Sequence, residues 1–417
     1  MTDTTDQTLN FEYDGRHLPF AKIVVVNAIY QLLTAMIFRF WARTRERKYL
    51  WSHVRLGDDR LEYTGTGLEL FLGFLIVLAV ILFPVIGGFT LVMILFGENP
   101  VVFGIVYALY ILVLVFLMYV AIYRARRYRL TRTLWRGIRG TLAGSSVKYA
   151  LAAMGYTLLV MLTFGLAAPV MRIGLVRREI ENMHLGNRPF TFEGRETELF
   201  RLWIGPWLTL PLLFGLLFAS GMYQGAAFDP AVSEFAEPPQ IGGGVLAATM
   251  IGYLLVILAM SWYRVAEFRY LAGRVGFEGM RFSSTLGFGR VLWIHFTSYL
   301  LMFGFFVLFF ALFMGAVVGL VGLDMMVAAA NNEIDPEIIA AGMDQQRLGG
   351  VMLLFFFLFA VASHVLNRVF VFHRMAHAVV TSLALTGAQD FSRVTQALDE
   401  APKLGEGLAD AFDLGDF

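Results

Sequence analysis

The chain has 417 residues, of which 58% are hydrophobic and only 16% charged, with a net charge of +1 and no cysteine. That balance excludes an ordinary soluble domain, and the missing thiols exclude disulfides, cysteine nucleophiles and cysteine-ligated metal centres. A polytopic membrane protein remains, and its charge distribution says more than its net charge.

The N-terminus "MTDTTDQTLN" is polar and acidic, with no basic region before an apolar core. It predicts a disordered stretch over residues 1–10 and no cleaved signal peptide. Order is expected from Phe11, in "FEYDGRHLPF", with Phe11, Tyr13 and Gly15 at its first, third and fifth places. The spacing returns as "LEYTGTGLEL", with Leu61, Tyr63 and Gly65, and as "FTFEGRETEL", with Phe190, Phe192 and Gly194. Each copy precedes a long apolar run, so each reads as a strand-and-turn adaptor that seats a membrane segment.

The first apolar run, Phe20–Phe38, contains Lys22, Asn27, Gln31 and Thr34. Polar groups at membrane depth are costly unless paired or wetted, so this set reads either as helix–helix hydrogen bonding or as the lining of a polar pathway. A basic arm follows, with Arg43, Arg45, Arg47 and Lys48. Next, "HVRLGDDRLEYTG" alternates apolar residues on both sides of Gly57-Asp58-Asp59, a hairpin pattern. Leu68–Phe96 and Val101–Tyr123 are each long enough to cross a bilayer and are joined at Gly97–Pro100, "GENP". A second basic arm, "YRARRYRLTRTLWRGIRG", carries Arg124, Arg126, Arg127, Arg129 and Arg132 among Tyr123, Tyr128 and Trp135. Both arms are expected on the cytoplasmic face against anionic lipid headgroups. Nucleic acid is not an expected partner, because the arms would lie on a negatively charged leaflet.

Val147–Val170 is the next apolar run. A full crossing there would export the basic loop Arg264–Arg290 and bring the acidic loops Gly221–Gly243 and Gly322–Gly349 inside. Keeping it on the cytoplasmic side satisfies the charge rule, and its "TFGLAAP" supplies a place for the helix to break. "MHLGNRPFTFEG" then repeats the hairpin pattern about Gly186-Asn187. Leu199–Ser220, Gly244–Tyr263, Val291–Leu320 and Val351–Phe370 complete the long runs.

Shifting the chain by 129 residues brings Thr34, Arg43, Gly57, Gly65 and Glu69 onto Thr163, Arg172, Gly186, Gly194 and Glu198. Such a match indicates duplication and pairs Phe20–Phe38 with Val147–Val170. A fainter third copy lies 219 residues on. The expected units are 11–140, 141–263 and a divergent 264–385, followed by an acidic tail, 386–417, read as solvated or as a docking segment. The expected fold is mainly α. Three transmembrane hairpins, Leu68–Tyr123, Leu199–Tyr263 and Val291–Phe370, accompany two re-entrant or non-crossing segments and short β-hairpins forming a small cytoplasmic sheet, with both termini cytoplasmic.

"FEYDGRHLPF", "FWARTRERKYL" and "LEYTGTGLELF" resemble the signature of the YjgN-like bacterial inner-membrane proteins, a domain of unknown function. The resemblance covers most of the chain and is strongest over Phe11–Gly73 and Thr163–Phe200. It implies the inner membrane and supplies no activity, cofactor or catalytic residue. Where that signature has a Gly, this chain reads "MIFRFW", and the second copy has "AAPVMR" in place of "FWAR".

His373 and His377 in "HRMAH" stand one helical turn apart and could share a metal, but Arg374 occupies the place where a metalloprotease motif needs Glu. No phosphate-binding glycine loop or catalytic triad is legible, so neither an enzyme nor a cofactor is expected. The leading expectation is a transport-like or lipid-interacting protein of the inner membrane, with a cavity near the non-crossing segments and anionic lipids as partners. The alternative is a scaffold that docks a membrane protein, such as an envelope protease, or a second copy of itself.

Overall fold

The computed structural model describes residues 8–227, 243–322, 345–387, 391 and 394–396. Residues 228–242, 323–344 and 397–417 lie outside the described residues, as do the expectations that fall on them. The chain divides into two compact units, one of Met1–Tyr13, Leu50–Phe288 and Val380–Phe417, the other of Asp14–Tyr49 and Gly289–Val379.

The first unit holds the feature that overturns the expected small sheet. Ten strands close into one antiparallel barrel. They are β1 (Thr8–Tyr13), β2 (Val54–Leu56), β3 (Asp59–Tyr63), β4 (Thr133–Trp135), β5 (Ile138–Leu142), β6 (Met183–Leu185), β7 (Arg188–Phe192), β8 (Val275–Phe277), β9 (Met280–Ser284) and β10 (Leu383–Thr386). Each strand pairs with its neighbours in chain order, and β1 closes the ring by pairing with both β2 and β10. A strand exposes unpaired N–H and C=O groups at a sheet edge, and closure removes both edges. β1 begins at Thr8, three residues ahead of the expected ordered start.

Four two-residue turns, Gly57-Asp58, Arg136-Gly137, Gly186-Asn187 and Glu278-Gly279, join strands at one rim. Each contains a glycine at positive φ, the conformation that two-residue hairpins favour. At the other rim the chain leaves and rejoins the ring at paired residues: Tyr13 and Val54, Tyr63 and Thr133, Leu142 and Met183, Phe192 and Val275, Ser284 and Leu383. Every helical excursion therefore starts and ends at this rim. At four of them one more backbone bond extends the ladder: Thr64 to Arg132, Ala143 to Asn182, Glu193 to Arg274 and Thr285 to Ser382. The barrel interior is apolar, with Phe277, Met280 and Leu385 buried against Leu9, Ile138, Leu185, Phe190 and Phe282.

The tail also departs from expectation. Part of the stretch expected to be solvated or to dock a partner packs on the barrel instead: Val394 lies buried in the barrel cluster and Phe391 packs beside it.

The helices in the first unit are α3 (Gly67–Val77), α4 (Phe83–Phe96), α5 (Pro100–Thr131), α6 (Ser146–Leu162), α7 (Ala168–Ile180), α8 (Glu196–Ala227) and α9 (Gly243–Ala272). The second unit contains α1 (His17–Leu33), α2 (Arg39–Ser52) as far as Tyr49, α10 (Phe288–Val321) from Gly289, α11 (Gln345–Leu366) and α12 (His373–Val380). Among the described residues five helical stretches, not the expected six, are long and apolar enough to cross a membrane: Pro100–Thr131, Glu196–Ala219, Leu246–Ala272, Phe288–Gly319 and Gly349–Val380. The missing one is Leu68–Phe96, where a π-helical turn at Leu78–Leu82 separates α3 from α4. Pro84 falls in the first turn after this interruption, and a proline has no N–H to donate to the turn before it.

Candidate functional site

The polar set of the first apolar run is engaged within the second unit. Asn27 is buried and its Nδ2 donates to the Ala42 carbonyl at 3.2 Å, while Gln31 Nε2 donates to the Asn27 carbonyl at 3.3 Å. Asn27 Oδ1 is buried without a hydrogen-bond partner. Thr34 caps the α1–α2 turn, donating to the Tyr30 carbonyl at 2.7 Å and accepting from the Phe38 N–H at 3.0 Å. Lys22 is exposed. These contacts tie α1 to α2 and do not by themselves form a pathway.

The arginines divide into two classes. Arg43 and Arg47 are buried, and Arg368 lies 3.1 Å from the buried Glu46. In the first unit Arg126 pairs with Glu179, Arg127 donates to the Gly144 carbonyl, and Arg132 meets Glu69 at 3.0 Å while stacking over Tyr128. The Arg129 carbonyl accepts from Thr133 Oγ1, and its side chain is half-buried. Arg45, Lys48 and Arg124 face outward, with Arg45 stacked over Phe38 and Tyr30.

His373 and His377 do not converge. His373 is buried, its Nδ1 3.0 Å from His17 Nδ1 and its ring stacked on Phe20, whereas His377 meets Arg290 at 3.1 Å. Among the described residues no three His, Asp or Glu side chains are grouped to hold a metal.

The repeated adaptor residues lie in β1, β3 and β7, with Tyr13, Tyr63 and Phe192 buried. A Cβ on Gly65 would lie 2.6 Å from the Tyr63 ring, and one on Gly194 would lie 2.3 Å from the Phe192 ring. The aromatic residue folds back over the glycine two places later, which is why the two types recur together. Gly15 follows Tyr13 at the same interval.

The strongest candidate for a site is one that sequence reasoning passed over. A cavity of about 470 Å³ opens in the first unit, in the size range of ligand pockets, at the foot of α9. Trp262, Val265, Ala266, Arg269, Tyr270 and Gly273 supply one wall; their spacing places them on one helical face. Leu202, Ser283, Ser284 and Phe288 complete the lining. Arg269 and Ser283 bring polar groups to this lining, and Trp262 and Leu202 bring apolar ones. Seven residues separate Trp262 from Arg269, a rise of roughly 10 Å along the helix.

Arg269 is the sole charged residue in this lining. Its neighbours in the same basic stretch are paired: Arg264 with Glu267 at 3.9 Å, Arg274 with Glu198 at 2.6 Å and Arg281 with Glu193 at 2.7 Å. Arg269 is exposed and has no acidic partner among the described residues. Ser284 Oγ already bonds Ser382 Oγ at 2.9 Å, leaving the Ser283 hydroxyl as the nearer free donor. Arg269 stands in the last turn of a helix long and apolar enough to cross a membrane. The signal in the sequence was the seven-residue step from Trp262 to Arg269, together with the absence of an acid three or four residues to either side of Arg269.

This architecture, a strand ring carrying apolar helical excursions, coincides with a family match over nearly the whole chain. A family model described as a bacterial protein of unknown function (DUF898) matches residues 8–411. The chain belongs to this family. No curated protein and no solved structure matches it. The family assignment and the five apolar helices make it a membrane protein.

Proposed function

We propose that this protein is a lipid-interacting component of the bacterial inner membrane that holds an anionic phospholipid at the foot of α9. The observation carrying this reading is the unpaired Arg269 in an otherwise apolar slot. A phosphate would accept hydrogen bonds from the guanidinium and the Ser283 hydroxyl, while an acyl chain follows Leu202 and Trp262 toward the bilayer. Such a slot suits an amphiphile better than a free ion, because burying apolar wall against acyl chain adds hydrophobic free energy to the charge contact. The basic segments favour a cytoplasmic barrel with both termini on that side.

The test is native mass spectrometry of the protein released from mixed phosphatidylglycerol and phosphatidylcholine vesicles. The wild-type chain should retain phosphatidylglycerol, and Arg269→Gln should lose about fivefold in retention, as one interfacial cation contributes about 1 kcal/mol. Arg201→Gln, which removes an arginine outside the slot, should change nothing. Equal retention by wild type and Arg269→Gln would sink the reading.

A further inference from the structure

The barrel's turn rim carries a second, fully formed binding site, and a piece of the chain itself displays the ligand. Residue 391 and residues 394–396 lie across the mouth at this rim, reaching back to segments more than two hundred residues earlier. Phe391 meets Trp135 edge to face at 4.8 Å, and the Arg136 guanidinium covers both rings, at 4.6 Å from Trp135 and 5.5 Å from Phe391. Val394 enters the barrel core and is only 6% exposed.

The next residue is held through its backbone alone. The Asn187 N–H donates to the Thr395 carbonyl at 3.0 Å, and Asn187 Oδ1 accepts from the Thr395 N–H at 3.1 Å. One residue on the wall thus reads both backbone groups of one residue on the segment. Gly186 makes this approach possible, since a Cβ there would lie 2.0 Å from the Thr395 oxygen. Beside it, the Arg139 N–H donates to Gln396 Oε1 at 2.8 Å. Within the segment, the Val394 N–H bonds the Phe391 carbonyl at 3.1 Å, closing a turn that sends both apolar side chains the same way.

Three features make this a recognition site rather than another element of the barrel. The ring of ten strands is complete without the segment. The walls come from two adjacent hairpin turns, at Trp135–Arg139 and Gly186–Asn187. The attachment is small: two apolar side chains and three intersegment hydrogen bonds. A contact of that size binds weakly as a free peptide, and tethering raises its local concentration to the millimolar range.

We propose that the barrel mouth is a peptide-binding site for a short segment with an aromatic residue, a β-branched aliphatic three places later, and then a residue with a free backbone N–H. The chain's own Phe391 and Val394–Gln396 are its resident occupants in cis. A partner protein presenting the same pattern in trans competes for the mouth.

The test uses the full chain with the tail disarmed in two separate ways, Phe391→Ala with Val394→Ala, and Thr395→Pro, which removes the N–H that Asn187 reads. Neither alters the barrel wall. A fluorescent peptide of residues 390–396, DFSRVTQ, is titrated into each purified variant and into wild type, with melting curves to confirm the fold. The disarmed chains should bind it saturably and at least tenfold more tightly than wild type, whose mouth is filled. Peptides with alanine for the phenylalanine or proline for the threonine should lose at least tenfold, and Asn187→Ala in the barrel should weaken binding of the native peptide. Absence of binding by a folded disarmed chain, or binding indifferent to those peptide changes, overturns the proposal. Failure of both disarmed chains to fold also overturns it, because the segment is then an obligatory part of the core.

Discussion

Gly194 shows what single residues decide here. Its Cα supports the Phe192 ring, and Phe192 is itself buried, so the ring has no free direction in which to move. Gly194→Ala is expected to cost about 1–3 kcal/mol, the range for overpacking, read as a lowered melting temperature in detergent. Adding Phe192→Leu should recover part of the loss, since the smaller side chain makes room. If the two substitutions instead add independently, the ring contact is not the cause. Charge pairs divide by burial in the same way. Glu267 is 5% exposed on its side chain and pairs with Arg172, whereas Arg281 and Glu193 are 63% and 61% exposed. Glu267→Ala removes a buried carboxylate that accepts from Arg172 and should cost about 1.5–3 kcal/mol, the range for hydrogen bonds to charged groups. Glu193→Ala should cost under about 1 kcal/mol. Comparable melting shifts for the two would contradict the burial argument. The spacing of Phe192 and Gly194 was legible in the sequence, but the reason for it was not, since the ring contact is a three-dimensional fact.

At the scale of elements, the turns within the two shorter excursions are built alike. Thr163 donates to the Leu159 carbonyl at 2.8 Å and accepts from the Ala167 N–H at 3.1 Å, repeating the Thr34 bonds 129 residues later. Ala35 and Met36 have φ of 47° and 70°, and Phe164 and Gly165 have 48° and 87°. The first turn thus places methionine where the second has glycine. Left-handed backbone costs a side-chain-bearing residue roughly 1–2 kcal/mol, so Met36→Gly should raise the melting temperature and Gly165→Met should lower it. Equal effects of one sign would refute the correspondence. The hairpins at Gly57 and Gly186 were legible, because alternation and turn residues coincide there. Those at Arg136-Gly137 and Glu278-Gly279 were not. The first lies inside an arginine-rich arm whose charge obscured its alternation, and both place a large residue at positive φ, at Arg136 and Glu278.

The whole molecule is defined by closure of the ring, which no local pattern could reveal. β10 is four residues long, and its partner β1 is at the other end of the chain. The register pairs Asn10 with Ala384. The native chain lacks cysteine, so Asn10→Cys with Ala384→Cys can be joined by an oxidant or a short thiol cross-linker without background, giving a chain of altered gel mobility. Asn10→Cys with Thr386→Cys should join far less, and equal yields would mean that the barrel does not close in this register. The barrel also fixes sidedness. Single cysteines at Asp58 and Asn187 lie on one rim and should respond alike to an impermeant reagent, both reacting only after permeabilisation if the barrel is cytoplasmic. Opposite behaviour of the two would exclude a common rim. The Arg269 slot was no more legible than the ring, since it depends on Ser283 and Leu202 meeting α9 in space.

Closure by the two chain ends has a consequence for biogenesis. A ribosome delivers β1 first and β10 last, so throughout synthesis the nascent sheet keeps two unpaired edges while successive helices are already being released to the membrane. The sequence separation bridged at closure is nearly the full chain, and loop-closure entropy makes such long-range pairing slow. The growing intermediate is therefore a curved open ribbon able to add a foreign strand. Chains that terminate prematurely before Leu383 are left permanently in that state, which makes them natural substrates for chaperones and proteolytic quality control.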